Sequence, residues 1–554
     1  MRPATNGFAY AAERVFRMAF PPVRVTPPRD DVRFERDVPV RMRDGVTLRA
    51  NVFRPTGPGR FPVVMSAHPY GKDVLPRRGP FGYVPVARYR FIRQPEPVSF
   101  SAYTSWEAPD PCFWVPRGYA VVNLDLRGFG TSEGTGSLFS DQEAQDYAEA
   151  IAWAASQPWS TGKVGLNGVS YLAISQWKAA ALRPPSLAAI CPWEGLSDPY
   201  LDVAYPGGVR EDGFWPFWAS MTEKTGRAPG SMRDGQLAHP DRDAWWEAVT
   251  PTLERIEAPA LVCASFSDQG LHTRGSFEAF RRMGSRERWL FTHRAGKWST
   301  YYGPESLALQ ARFFDWFLKG EGEGMAGVPA VRLEVRASRT EVREVRGEDA
   351  WPLPGTRWTK LHLAPGEMRA SAPAEAATVR FAVPDGGVTF DHRIEDETEL
   401  AGPMVLVLHA ALEGGDDAHL FAAVRKIDGV TRKESVFEGS FGFGRDAVAR
   451  GWLRVAHRRV DEARSDPWRP FLPCDRAEPL PAGEIARLAV ELLPSATSFR
   501  GGDVLRVDVR GRWFWKRNPV TGIFPADFAP SPAATVVLHM GGDCDAHLLV
   551  PRTR

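Results

Sequence analysis

The sequence predicts two architectures in series, an α/β domain followed by an all-β domain. Between Phe61 and Leu318, short apolar runs alternate with stretches of helical periodicity, the pattern of a mainly parallel sheet covered on both faces. From Val331 onward strand signals dominate and long helical periodicity is missing, which predicts a sandwich or jelly roll. Residues 193–250 break the first pattern with Trp193, Phe214, Trp215, Trp218 and Trp246 among Pro/Gly joints, and read as an inserted helical cap. The expected division is 1–192 with 251–322 for the α/β domain, 193–250 for the cap and 328–554 for the β domain.

The elements follow in order. Ala11–Phe20 reads as a short amphipathic helix packed on the body, and residues 21–35, rich in Pro and Arg, as an extended lead-in. Val38–Phe53 alternates around Asp44-Gly45, a hairpin turn signal. Phe61–Ala67 is an apolar strand ending in His68-Pro-Tyr-Gly-Lys72, and residues 74–112 form a long excursion. Tyr119–Leu124 is a second buried strand, leading into Asp125-Leu-Arg-Gly-Phe-Gly-Thr-Ser-Glu-Gly134. Asp141–Ala155 places Ala144, Tyr147, Ala148 and Ile151 at helical spacing. The strand Val164–Leu166, the turn Gly168-Val-Ser170 and the helix Tyr171–Leu182 come next, then the strand Leu187–Cys191. Alternation resumes after the cap with Ala260–Phe266, Thr273–Met283, Trp289–Thr292 and Pro304–Leu318, and Gly320–Gly324 reads as a flexible linker.

Bulk properties exclude several classes. With 554 residues, 43% hydrophobic and 25% charged, the chain has the composition of a soluble globular protein. A formal charge of +2 gives no reason to expect nucleic acid or an acidic membrane as partner. Five scattered cysteines without a Cys-x-x-Cys suggest neither a disulfide framework nor a zinc site, so no metal and no cofactor is expected. No leader-like apolar stretch follows the N-terminal charges, and no window approaches a membrane span of about 20 apolar residues. A cytoplasmic location is the expectation, and a homo-oligomer is compatible with the sequence.

The strand–turn–helix around Ser170 is the context in which a serine becomes a nucleophile. Gly168 stands where a side chain would clash as the strand folds back onto the helix, and Tyr171 N–H, at a helix start, favours a developing oxyanion. The second glycine of Gly-x-Ser-x-Gly is replaced by Leu172. An activated serine needs an imidazole and a carboxylate that orients it, here in the order Ser, Asp, His. Asp268 follows one predicted strand and His293 the next, so Ser170, Asp268 and His293 are expected at one sheet edge. His272 is the rival base, ranked lower because it lies four residues after Asp268 and enters the next helix. The second oxyanion donor is expected from the loop after Phe61–Ala67, through the Tyr70 phenol.

Met42-Arg-Asp-Gly-Val46, His68-Pro-Tyr-Gly-Lys72, Asp125-x-Arg-Gly-x-Gly-x-Ser-x-Gly134 and Gly168-Val-Ser-Tyr-Leu-Ala173 together resemble the cocaine-esterase/X-Pro dipeptidyl-peptidase (CocE/NonD, S15-like) group of serine hydrolases. The resemblance runs from about residue 35 through nearly the whole chain. It implies an α/β-hydrolase fold, a helical cap, a jelly-roll domain, and acyl hydrolysis through a triad whose nucleophile falls on Ser170 and whose acid falls on Asp268. It also assigns an oxyanion tyrosine to Tyr70. The group presents its histidine in a Gly-Pro-Trp-Ser/Thr-His segment; here Gly296-Lys-Trp-Ser-Thr300 stands in its place, with threonine at the histidine position.

The expected function is hydrolysis of a small acyl ester or amide through an acyl-enzyme, with Trp193, Phe214, Trp215 and Trp218 lining an apolar acyl pocket. An α-amino-acid ester hydrolase or X-Pro dipeptidyl-peptidase is the alternative; its ammonium would need carboxylates such as Asp198, Asp202, Glu211 or Asp212. A third reading is a non-catalytic binding protein on a hydrolase fold, favoured only by Thr300.

Overall fold

The computed structural model describes residues 7–228, 230–515 and 526–554. Its organising sheet contains β1 Val32–Arg41, β2 Thr47–Pro55, β3 Phe61–His68, β4 Ala120–Asp125, β5 Ser160–Val169, β6 Leu187–Trp193, β7 Ala260–Ser265, β8 Arg288–His293 and β9 Val331–Ser338. The β1–β2 hairpin adds antiparallel to β4. From there β4, β3, β5, β6, β7, β8 and β9 run parallel in that spatial order. β4 and β7 are buried along their whole length, which is why they read as unbroken apolar runs.

Helices Asp141–Ser156, Tyr171–Ala181, Thr273–Arg282 and Pro304–Phe314 follow β4, β5, β7 and β8 and supply the crossovers that parallel strands require. The carboxyl ends of β3, β5, β7 and β8 therefore lie along one edge, where open α/β sheets hold their ligands. Between β6 and β7 the chain forms helices Phe214–Glu223, Met232–Ala238 and Ala244–Val249.

Beyond β9 the chain is antiparallel β structure. Its longest strand, Thr398–Glu413, pairs with Ala486–Phe499, Ala534–Met540 and His547–Arg552. His419–Ile427 lies between Ala449–Arg454 and Val504–Arg510. The sequence assigned Val331 onward to a separate β unit, yet Leu290 of β8 pairs in parallel with Val331, and Arg336 meets Thr497. Backbone hydrogen bonding thus passes without a break from the α/β half into the β half. The expected flexible linker is tethered as well, since Arg312 Nε donates to Gly324 O at 2.6 Å.

The N-terminal helix spans Gly7–Ala19 and is tied to the body by Arg17, which donates to Gln94 O at 3.1 Å. No described helix is long and apolar enough to cross a membrane.

Candidate active site

Ser170 sits between β5 and the helix Tyr171–Ala181 at φ +60°, ψ −117°, a conformation that L-residues rarely adopt. Two contacts hold it there. Ser170 N donates to Trp193 O on β6 at 3.0 Å, and Gly168, at φ +148°, lets Leu172 approach so closely that a Cβ on residue 168 would stand 2.4 Å from Leu172 Cβ. Leu172 thus fills the space under the elbow in place of a second glycine. The hydroxyl is half-buried, and Tyr171 N–H, first in its helix, has no helical acceptor behind it.

The imidazole against Ser170 belongs to His272, and this corrects the expectation of His293. Ser170 Oγ lies 3.3 Å from His272 Nε2, and His272 Nδ1 hydrogen-bonds Asp268 Oδ2. The physical reason is a tight turn. The N–H groups of Leu271, His272 and Thr273 all point at Asp268 O, at 3.2, 3.1 and 3.2 Å, so the side chains of residues 268 and 272 fall on one side. His293 does end β8 as expected, but both of its ring nitrogens are engaged elsewhere. Nε2 donates to Glu194 Oε1 at 3.0 Å, and Nδ1 accepts from Ala295 N at 3.2 Å. Thr300, at the position where the resembled segment has histidine, donates to Gly296 O at 2.8 Å and takes no part at Ser170.

Tyr70 is brought to the serine by two interlocked loops. Tyr70 N donates to His68 Nδ1 at 3.1 Å, and Lys72 N donates to Asp125 Oδ1 at 2.6 Å. Asp125 Oδ2 accepts from Thr131 N at 3.1 Å, an approach that requires Gly130, because a Cβ there would lie 2.0 Å from that oxygen. The glycine-rich motif after β4 is therefore a clamp for the Tyr70 loop. Burial keeps His68 neutral, its pKa pushed down to about 3. Burial, with the Glu107 carboxyl nearby, pushes the Tyr70 phenol above its usual range, so it remains an O–H donor. Trp218 Nε1 donates to Tyr70 Oη at 3.2 Å and occupies one of its lone pairs.

The four aromatics expected at the acyl pocket divide. Trp218 touches Tyr70 and lies 6.0 Å from the Tyr171 ring, centroid to centroid. Phe214 packs 5.7 Å from Phe441 of the β half, whose ring in turn stands 5.7 Å from Lys297 Nζ. Trp193 and Trp215 are buried. Trp193 is wholly buried under the sheet edge against Phe291 and Tyr301, and Trp215 packs inside the cap against Trp246. The four cap carboxylates considered for an ammonium are likewise engaged. Asp198 pairs with Arg242 at 3.1 Å, Asp202 with Arg274 at 3.0 Å and Asp212 with Arg210 at 2.6 Å. Glu211 accepts from the N–H groups of Gly213, Phe214 and Trp215 at 2.7–2.9 Å, capping the helix that begins at Phe214.

Three residues near the serine escaped sequence reasoning. Lys297 Nζ donates to Asp268 Oδ2 at 2.5 Å. Glu107, at φ +65°, accepts from Val169 N through its backbone oxygen and from Trp298 Nε1 through Oε1, at 3.2 Å each. Its carboxyl is pushed up to about 8, by burial first. From the β half, Arg450 Nη2 donates to Gln269 O at 2.5 Å, bracing the turn that carries Asp268 and His272. Lys297 had a visible signal, since it occupies the proline position of the altered Gly-x-Trp segment; Glu107 and Arg450 had none.

Among the described residues, one group brings three metal-type donors within 4.8 Å of one another: Glu194, Cys263 and His293. These atoms satisfy each other and their neighbours. Glu194 accepts from His293 and from Ser265 Oγ at 2.7 Å, and burial holds the Cys263 thiol protonated.

Residues 44–236 match the family X-Pro dipeptidyl-peptidase (S15 family), and residues 323–549 match the X-Pro dipeptidyl-peptidase C-terminal non-catalytic domain. The crystal structure of a CocE/NonD family hydrolase from Staphylococcus aureus is 37% identical, covers 94% of each chain and superposes with a TM-score of 0.88. Cocaine esterase of Rhodococcus sp. (strain MB1 Bresler) is 26% identical over 93% of this chain and 98% of its own. An α-amino acid ester hydrolase structure, 16% identical with a TM-score of 0.70 over 94% of this chain and 97% of that chain, shares the fold.

Proposed function

Because this chain belongs to the CocE/NonD family of serine hydrolases, we propose that it hydrolyses a carboxylic ester through an acyl-enzyme on Ser170, with His272 as base and Asp268 as its orienting acid. The observation that carries this reading is the continuous line from Ser170 Oγ, 3.3 Å from His272 Nε2, through His272 Nδ1 to Asp268 Oδ2.

The steps follow from the geometry. His272 Nε2 takes the Ser170 proton as Oγ attacks the acyl carbonyl carbon. The carbonyl oxygen becomes an oxyanion, held by Tyr171 N–H and the Tyr70 O–H. Because Trp218 already donates to Tyr70 Oη, the phenol hydrogen is left to point elsewhere, towards that oxyanion. His272 returns its proton to the leaving alkoxide, which departs as alcohol. Water, deprotonated by His272, then attacks the acyl-enzyme; the second tetrahedral intermediate collapses to the carboxylic acid and restores Ser170.

An ester of an uncharged acyl group is favoured because Asp198, Asp202, Glu211 and Asp212 are each committed to a cation or a helix cap. A second reading, an α-amino acyl substrate, rests on Glu107, whose Oε2 has no partner among the described residues. The antiparallel pairing after β9 supports assigning the β half to the jelly-roll type, with a domain limit near residue 328. A fluorophosphonate probe tests the central claim: wild type is expected to label once per chain and Ser170→Ala not at all. A folded wild type that fails to label would return the chain to the non-catalytic reading. Comparing an aryl ester of a simple acid with an α-amino-acid ester separates the two substrate readings.

A further inference from the structure

Lys297 opens the short helix Lys297–Tyr301, and its side chain turns inward, leaving it 7% exposed. Its Nζ and the Nδ1–H of His272 both donate to the same oxygen, Asp268 Oδ2, which leaves the two nitrogens 3.0 Å apart. Two donors that close cannot bond each other, so their contact is one of charge alone. When His272 is neutral the contact costs little. When His272 takes a proton, two cations share one carboxylate in a buried site, and like charges at that separation disfavour the second ionisation.

The other charged groups around the pair come from three segments. Glu194 Oε2, after β6, is 4.0 Å from Lys297 Nζ. Glu107, before β4, acts on Lys297, and Arg450 of the β half acts on Asp268. The second oxygen of Asp268, Oδ1, has no hydrogen-bond partner among the described residues, so Lys297 is the ammonium that directly neutralises this carboxylate.

We propose that Lys297 is a positioning residue that sets the pH range of the serine chemistry: its ammonium holds Asp268 ionised and keeps His272 in the neutral, proton-accepting form into acidic solution. This rests on the triad reading above. Burial and, next, the Lys297 charge both push His272 below the usual histidine range, while Asp268 opposes them. Activity needs neutral His272, so the acidic limb of the rate profile falls where His272 takes up its proton.

The test is the pH profile of kcat/KM for an aryl ester, with active sites counted by fluorophosphonate titration. In wild type the acidic limb is expected below the ordinary histidine value of 6.5. In Lys297→Met the limb is expected to move up by roughly one to three pH units, and Lys297→Arg, which keeps the charge, is expected to return it towards wild type. A Lys297→Met enzyme that titrates fully, turns over more slowly and keeps the wild-type limb overturns the proposal, since loss of packing alone lowers kcat without moving a limb. If Lys297→Met does not fold, the wild-type limb decides: below 6.5 supports the proposal, at or above 6.5 overturns it. His272→Ala separates the two claims. If it keeps the wild-type rate and profile, the triad reading falls and takes this proposal with it; if it is inactive while the Lys297→Met limb stays put, only the role of Lys297 falls.

Discussion

Asp268 and His272 stand four residues apart on one turn after β7, and the Nδ1–H of His272 donates to Oδ2 of Asp268. A carboxylate and an imidazole that hydrolases of this fold usually take from separate loops come here from a single turn. The arrangement ties the orientation of the imidazole to local backbone geometry rather than to the packing of a distant segment.

The two histidines are therefore expected to respond differently to removal. His272→Ala should lose roughly ten-thousandfold to a millionfold in kcat, as expected when the base of a serine triad is deleted. His293→Ala should keep turnover within about tenfold of wild type and lose stability instead, by roughly 2–5 kcal/mol, because Glu194 stays buried with one partner fewer. Ester turnover and urea midpoints of both variants check this; an inactive but stable His293→Ala would reverse the assignment.

Tyr70→Phe removes the phenol donor and leaves the ring in place. A loss of about 100- to 1000-fold in kcat with little change in KM is expected, since an oxyanion donor acts mainly in the transition state. Trp218→Phe keeps the phenol and removes only the indole that orients it, at 3.2 Å, so a smaller loss of kcat in the same direction is expected. Equal losses in the two variants would mean that Trp218 supports the site by packing and not by orienting Tyr70.

The α/β half and the strand–turn–helix at Ser170 were legible because their signals are local. Buried parallel strands are apolar runs, and the elbow demands Gly168 beside Ser170 in sequence. The imidazole against Ser170 was not legible, because strand ends point to His293, which does stand at such an end. What brings His272 to Asp268 is a three-way backbone turn onto Asp268 O, which leaves no mark in composition or periodicity. The aromatic cap misled for a related reason: Trp193 and Trp215 have the same sequence signature as Trp218, and only packing separates a core indole from one that reaches Tyr70. Glu107 and Arg450 were invisible because they reach the site across long sequence separations.

Glu107 gives the fold a pH dependence whose sign can be worked out. Its folded carboxyl is pushed up to about 8 from an ordinary 4.5, by burial first, so between those values the folded state keeps a proton that the unfolded chain releases. Stability from this group is fully present below about 4.5, declines as pH rises through 8, and is level above it. Glu107→Gln, which cannot ionise, should flatten that decline, so its denaturant midpoint should gain on wild type as pH rises. Midpoints of both proteins falling in parallel across the same range would show that the proton is held elsewhere.

The β half reaches the Asp268–His272 turn through Gln269, the residue that follows Asp268. Gln269 O accepts from Arg450 Nη2 at 2.5 Å, and Gln269 Nε2 donates to Val448 O at 3.0 Å. On the next strand end, Arg294 Nη1 donates to the same Val448 O at 3.0 Å and to Ser495 Oγ at 3.1 Å, so one segment of the β half grips two neighbouring loops of the α/β half. If this grip holds the Asp268–His272 turn in register, Arg450→Met should lower kcat by about tenfold or more while KM changes little, because misplacing a reacting group affects the transition state more than binding. The substitution keeps an apolar stem and removes the guanidinium, with its bond to the backbone oxygen, its 3.2 Å ion pair with Asp446 and its place over the Trp452, Trp513 and Trp515 rings. A variant that loses stability at unchanged kcat would make the contact a domain brace without influence on the turn.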